Sequence, residues 1–198
     1  AQQKQILGLT PGTPYTAEIY AGTLFKGIVT FTTKPALGAN VIDLRGITGV
    51  PSILTDTLPD IASGSLVVLK KGQTYTVNST HDLSKSVTIM PGYDFSEAET
   101  KIFMSSNFNI VANSIIDSIV FRDVTLYSDN YAGKYVFNIS RQCTINKIRF
   151  DGCKAEIFRG VARLQAVPIT VKEFIVNNCI MDSLSNYGVF SIDNINCK

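Results

Sequence analysis

Three stretches of the chain place apolar residues in one spacing. Ile116, Ile119 and Phe121 match Ile145, Ile148 and Phe150, and these match Val171, Phe174 and Val176, at offsets of 29 and then 26 residues. Two positions after each set come Asp123, Gly152 and Asn178, the residue types that most readily take a left-handed backbone. Val124, Cys153 and Cys179 follow and restore an apolar column. Alternation with a period of two, no helical period and one tight turn per repeat predict coils of a parallel β-solenoid. A single coil of this kind cannot bury its apolar face, so coils stack about 4.8 Å apart and like residues form ladders.

A further ladder is expected from Phe137, Phe158 and Phe190. The connection before it runs over about seven residues in one coil (128–134) and is almost absent in the next. Function in such folds sits on the connections that vary while the ladders do not. Upstream, LVVLKKGQTYTV (66–77) and SVTIMPG (86–92) read as two earlier coils, each an alternating strand stopped by a glycine turn. TDTLPDIA (55–62) predicts a short helix capped by Thr55 or Asp56 and limited by Pro59 to about one or two turns.

A short helix, a Gly-Ser break and a strand ending in KKGQTYTV resemble the start of pectin-lyase-like right-handed parallel β-helices, whose helix plugs the open end of the core. The resemblance implies the fold more than any activity. The first 34 residues differ. LTPGTPY (9–15), Ala17, Ile19 and GIVTFTT (27–33) resemble the last strands of a fibronectin type III domain, with Tyr15 at the tyrosine corner. A full sandwich of that type needs about 100 residues, so the first half is missing, and the segment should leave an apolar face and an open edge that need cover.

The expected organisation is all-β. Residues 1–34 form the C-terminal part of a fibronectin type III-like domain and 35–49 a linker and lead-in, with 34–38 (KPALG) as the linker itself. Residues 50–198 form a right-handed parallel β-helix with a short N-terminal capping helix, continuing beyond residue 198 in a longer protein. The pairing is similar to multidomain surface or periplasmic proteins of gut Bacteroidetes found beside glycan-utilisation systems. This implies a secreted, periplasmic or cell-surface location, with a lipoprotein anchor in the full-length protein.

Composition narrows the partners. A formal charge of +2 points to neither nucleic acid nor an acidic membrane, and no apolar run is long enough to span a bilayer. The four cysteines, Cys143, Cys153, Cys179 and Cys197, include no C-x-x-C pair, and His81 is the one histidine, so a zinc site is not expected. Cys153 and Cys179 share a ladder position, where packed free thiols are preferred over a disulfide. His81, after Asn78, Ser79 and Thr80, reads as a solvated turn residue.

Two functional classes compete. By resemblance, a polysaccharide lyase would use Arg or Lys as base with Ca²⁺ to acidify the proton beside a uronate carboxylate. Its candidates are Arg122, Asp123, Lys147, Arg149 and Asp151 around one strand and turn, and Arg159 and Arg163 in a loop, with Arg149, Arg159, Asp123 and Asp151 as the catalytic set. The one-residue offset of Asp123 from Asp151 denies them a carboxylate ladder. The Trp-Ile-Asp-His and Arg-x-Pro-x-x-Arg signatures of pectate lyases are absent, as are the paired aspartates and Gln of pectin esterases. Solvated outer charges are the plainer account, and no cofactor is expected outside the lyase reading.

The binding reading rests on DNYAGK (129–134) and SNYG (185–188) at one point of two coils. Tyr131 and Tyr187 would then project from one edge about two strand spacings apart, with Asn130, Asn186 and Lys134 around them, a polar-rimmed aromatic surface of the sort that stacks poly- or oligosaccharide. The plainer account is ordinary turn chemistry. The expected function is a non-catalytic carbohydrate-binding or surface scaffold module, against the lyase and against a structural spacer of an adhesin.

Overall fold

A computed structural model of the chain describes residues 6, 8–10, 12–33, 40–93 and 96–193. The expected linker 34–38 and Cys197 lie outside the described residues. The chain divides into two compact units, residues 1–39 and 40–198.

In the first unit, β1 (Pro14–Ala21) and β2 (Leu24–Thr32) form an antiparallel hairpin closed by Gly22 at φ +63°. Pairing of Tyr15 with Phe31 and of Ala17 with Val29 puts these side chains on one apolar face, with Tyr15 stacked on Phe31 at 5.9 Å. The Tyr15 hydroxyl accepts the Thr10 amide at 2.8 Å, a bond from the ring back to the upstream backbone. Ile19, Val29 and Phe31 remain exposed.

The second unit is a parallel β-solenoid of about six turns. It starts with β3 (Val41–Asp43), inside the segment read as a lead-in. Next comes α1 (Ile53–Thr57), which begins ahead of the expected Thr55 or Asp56 cap. Ser52 holds the cap position without a side-chain bond to the backbone, and its hydroxyl instead donates to Asp56 at 2.8 Å. Thr55 therefore lies inside the helix and donates to the Ser52 carbonyl. Burial decides the helix position: Leu54, Leu58 and Ile61 face the core and are almost wholly covered.

The coils follow in order. The first comprises β4 (Ser65–Leu69), β5 (Thr74–Val77) and β6 (His81–Leu83). The next has β7 (Val87–Pro91), β8 (Lys101–Met104) and β9 (Phe108–Ile110). The third has β10 (Ile115–Ile116), β11 (Ile119–Arg122), β12 (Thr125–Tyr127) and β13 (Tyr135–Ile139). The last two are each drawn from two long strands, β14 (Cys143–Asp151) with β15 (Lys154–Leu164), and β16 (Ile169–Asn177) with β17 (Ile180–Ile192). One sheet stacks β3, β4, β7, β10 with β11, β14 and β16; the other stacks the remaining solenoid strands, all parallel.

The register fulfils the repeat. Ile116, Ile145 and Val171 pair in sequence, as do Ile119, Ile148 and Phe174, and Phe121, Phe150 and Val176. The last column extends back through Ile89 and Val67 to Ile42. Rings from both sheets fill the space between them, Phe121 on Phe150 at 5.5 Å and on Phe137 at 6.0 Å. The middle rungs are fully buried, whereas Ile42 at the first is partly covered and Val176 at the last is 39% exposed. Asp123, Gly152 and Asn178 take φ +51°, +64° and +51° at one stacked turn. There the Asp123 amide donates to the Asp151 carbonyl and the Gly152 amide to the Asn177 carbonyl, both at 2.9 Å.

The phenylalanine ladder is corrected. Phe137 pairs with Ala162, which pairs with Phe190, while Phe158 pairs with Leu184 one step earlier along the coil. Upstream the same column holds Phe108 and His81. His81 is thus the first residue of β6, half-buried and edge-on to Phe108 at 6.1 Å, and not a solvated turn residue. Cys143, Cys153 and Cys179 are free thiols, the first two buried. The Cys153 amide lies 3.3 Å from Cys179 Sγ, as a shared ladder position requires.

Candidate functional site

One edge of the solenoid carries connections of unequal length at the same point of three coils. Tyr127, Glu156 and Asp182 are paired across β12, β15 and β17, and so are Tyr135, Gly160 and Gly188 across β13, β15 and β17. Between them lie residues 128–134, 157–159 and 183–187; the first is a loop, while 157–159 run inside β15, so the middle coil has almost no connection, as expected. Its cost is visible in Ile157, a β-branched residue held at φ +64°. Ser128 braces it by donating its hydroxyl to the Ile157 carbonyl. Ser183 follows at φ +51°.

The longest connection is ordered around Asn130. The Asn130 side-chain oxygen accepts the Ala132 amide at 3.0 Å, its carbonyl accepts the Lys134 amide at 3.1 Å, and its own amide donates to the Ser128 hydroxyl at 3.2 Å. Asparagine suits this place because its short amide closes the turn on its own backbone. Tyr131 stands on the turn with 61% of its surface exposed. The Lys134 ammonium reaches back to the Ser105 carbonyl of the preceding coil.

Tyr187 is placed differently from Tyr131. It is half-buried, short of the exposure a shared stacking platform requires, and packs edge-on against Tyr135 at 5.6 Å. Arg159 and Arg163 hold their guanidinium carbons 4.6 Å and 4.9 Å from its ring centre, an attraction between cation and ring quadrupole. Gly160 makes the room, since a Cβ there would meet the Cβ of Tyr187 at 2.6 Å. Arg163 is held by Asp193 at 2.6 Å, which raises its already high pKa. Burial raises the pKa of the Tyr135 phenol, against the pull of the two arginines. Arg159 and Arg163 belong to β15 and not to a loop, because Gly160, Val161 and Ala162 between them are buried against the coils. Asn186 lies exposed beside the Ser185 hydroxyl that donates to it. Tyr135 and Gly160 escaped the sequence reading; the signal was a glycine interrupting an alternating strand, the mark of close approach.

The lyase candidates do not converge. Asp151 accepts from Asn177 at 2.7 Å and from Arg149 at 3.1 Å, and Arg122 stands 3.8 Å away; the Asn177 bond first, then Arg149, holds its carboxyl below the usual range. Lys147 pairs with Glu173 at 3.1 Å. Asp123 sits in the adjoining turn, one residue beyond the Arg122–Asp151 pair, and gives its amide to the Asp151 carbonyl. Arg149 is in the sheet of β14 and Arg159 in the opposite sheet of β15. Among the described residues no group of three or more His, Cys, Asp or Glu side chains is placed to hold a metal ion. Nor, among the described residues, is any helix long and apolar enough to cross a membrane.

No curated protein and no solved structure matches the chain. A family does match, over residues 73–197, which take in every coil from the first glycine turn onward and the whole tyrosine and arginine edge. The chain belongs to the family described as a domain of unknown function, DUF4957.

Proposed function

We propose that the chain is a non-catalytic carbohydrate-binding or surface scaffold module whose contact edge is built from residues 128–134 and 183–187. The observation that carries this reading is Tyr131, a ring 61% exposed on a turn that Asn130 locks in place. An exposed ring on a fixed backbone loses little entropy when a sugar face stacks on it. Asn130 and Asn186 supply amide groups for hydroxyls, and the half-buried Tyr187 with Arg159 forms a firm polar flank two coils away. The setting that goes with this role is secreted, periplasmic or cell-surface. The solenoid is read as pectin-lyase-like and the hairpin as the end of a fibronectin type III domain, of the sort found together in gut Bacteroidetes.

The test is a glycan array probed with the full chain, followed by titration of any hit. Tyr131→Ala should abolish binding while the melting temperature stays unchanged; Tyr187→Ala should weaken binding less and lower the melting temperature. Absence of binding to every poly- or oligosaccharide, or binding indifferent to Tyr131→Ala, rejects the reading. Ca²⁺-dependent release of unsaturated sugars that disappears with Arg149→Ala or Arg159→Ala would replace it with the lyase.

A further inference from the structure

Of the six arginines of the chain, five stand against a carboxylate: Arg45 with Asp43, Arg141 with Asp82, Arg163 with Asp193, and Arg122 and Arg149 both with Asp151. Arg159 has none. Among the described residues its half-buried guanidinium makes no ion pair and no hydrogen bond, and it rests on the Tyr187 ring with its central carbon 4.6 Å from the ring centre. Attraction to the ring quadrupole offsets part of the cost of covering this charge but gives its N–H donors no acceptor.

The setting of Arg159 does not rest on where the described residues stop. β15 is paired on one side with β12 and β13 and on the other with β17. The Arg159 amide donates to the Lys134 carbonyl at 2.7 Å, so the cation stands one rung, about 4.8 Å, from the end of the turn that carries Tyr131. Acidic residues of this edge sit where the connections begin, at Asp129 and Asp182, with Glu156 held by Lys154 at 2.7 Å. Basic residues sit where they end. Lys134 spends its ammonium on the Ser105 carbonyl, a neutral group, and has no ion pair among the described residues. Beside them the Tyr135 ring is 3% exposed, faced by Arg163 at 5.8 Å, and its hydroxyl has no hydrogen-bond partner. The edge thus holds two cations without counter-charge and a phenol without an acceptor.

Resting on the carbohydrate-binding reading above, we infer that the glycan is anionic, a sugar bearing a carboxylate or a sulfate ester, whose charged group is received by Arg159 with Lys134 beside the ring stacked on Tyr131. An oxyanion there accepts the charge-assisted bonds that no described residue of the chain takes up, and the guanidinium fork matches either group through two parallel bonds.

Titration of the full chain with matched oligosaccharides tests this: uronate-containing chains against their carboxyl-reduced forms, and sulfated chains against their desulfated forms, the two arms telling the sources of charge apart. Affinity for the charged member of one pair should exceed that for its neutral counterpart by about ten-fold or more, and the difference should shrink as sodium chloride is raised. Arg159→Gln should remove the preference and leave the neutral counterpart bound as before, which also shows the edge to be intact. Arg159→Lys, which keeps a cation at the Tyr187 ring, should retain part of it. Binding that needs Tyr131 but treats charged and neutral glycans alike, or a preference that survives Arg159→Gln, overturns this inference and leaves the carbohydrate reading standing. Absence of binding to every glycan overturns both.

Discussion

Tyr187 fills the space that Gly160 leaves open: a Cβ on Gly160 would stand 2.6 Å from the Tyr187 Cβ and 3.1 Å from the Gly188 carbonyl oxygen. Neither atom can swing away, so a methyl group there must push β17 off β15. Gly160→Ala should cost about 1–3 kcal/mol, the usual range for overpacking, and change the near-ultraviolet dichroism of the tyrosines. A variant as stable as the parent would show that Tyr187 is not seated on this glycine.

The aromatic column supplies a second expectation. Phe150 contacts Phe121, Phe137 and Phe174 with ring centres 5.5 to 6.2 Å apart and is wholly buried. Phe150→Ala should therefore cost about 3–5 kcal/mol. Ile115→Ala, at a side chain 77% exposed in the same sheet, should stay within about 0.5 kcal/mol. Urea midpoints with unchanged slope measure both, and equal effects would contradict the assignment of inner and outer faces.

The stacked turn separates glycine from its neighbours. Gly152 has φ +64°, and a Cβ on it would collide with the Asp123 carboxylate of the adjacent coil, so Gly152→Ala carries both a backbone and a steric penalty and should lose at least about 1–2 kcal/mol. Asn178→Gly keeps the left-handed conformation at φ +51° and should be near neutral. Thermal denaturation of the two variants distinguishes this from a turn that tolerates any residue.

The ladders were legible because parallel, in-register coils pair each residue with its counterpart, so Ile119, Ile148 and Phe174 repeat in sequence as they stack in space. Asp123, Gly152 and Asn178 were legible for the same reason. The third ladder was misread at Phe158 because aromatic identity pointed to it, while the register is set by the shorter connection through Ile157, whose left-handed backbone no propensity announces. Thr55 and Asp56 resembled a cap, yet the helix starts earlier because Leu54 is needed over the core. Tyr131 and Tyr187 share a motif but not an environment, since what lies beside Tyr187 comes from β13 and β15, distant in sequence.

His81 links this core to pH. Burial holds its imidazole below the ordinary 6.5, with Asp82 and Asp56 partly opposing. The folded chain therefore takes up this proton less readily than the unfolded one. Stability is then indifferent to this group above about pH 6.5 and falls as pH drops from there toward the lower folded value. It is the one histidine in 198 residues, so no second imidazole contributes. His81→Phe, which continues the column of Phe108 and Phe137, should remove the part of the slope below about pH 6.5 that this imidazole produces. Denaturant midpoints at a series of pH values would show otherwise if that part survives.

The buried thiols act at the opposite end of the scale. Burial pushes Cys143 up to about 11 and Cys153 up to about 12, from an ordinary 9.0. Since the thiolate is the reactive form, neither should be alkylated by iodoacetamide in the native protein at pH 8, while both should react fully in guanidinium. Cys179, packed in the same column but only half covered, should be the first of the three to label. The raised values also mean that the folded state keeps protons the unfolded chain gives up, so this contribution to stability is constant below about pH 9 and falls as pH rises toward 11 and 12. Peptide mass spectrometry after a short pulse decides the order, and rapid native labelling of Cys153 would contradict its place inside the coil.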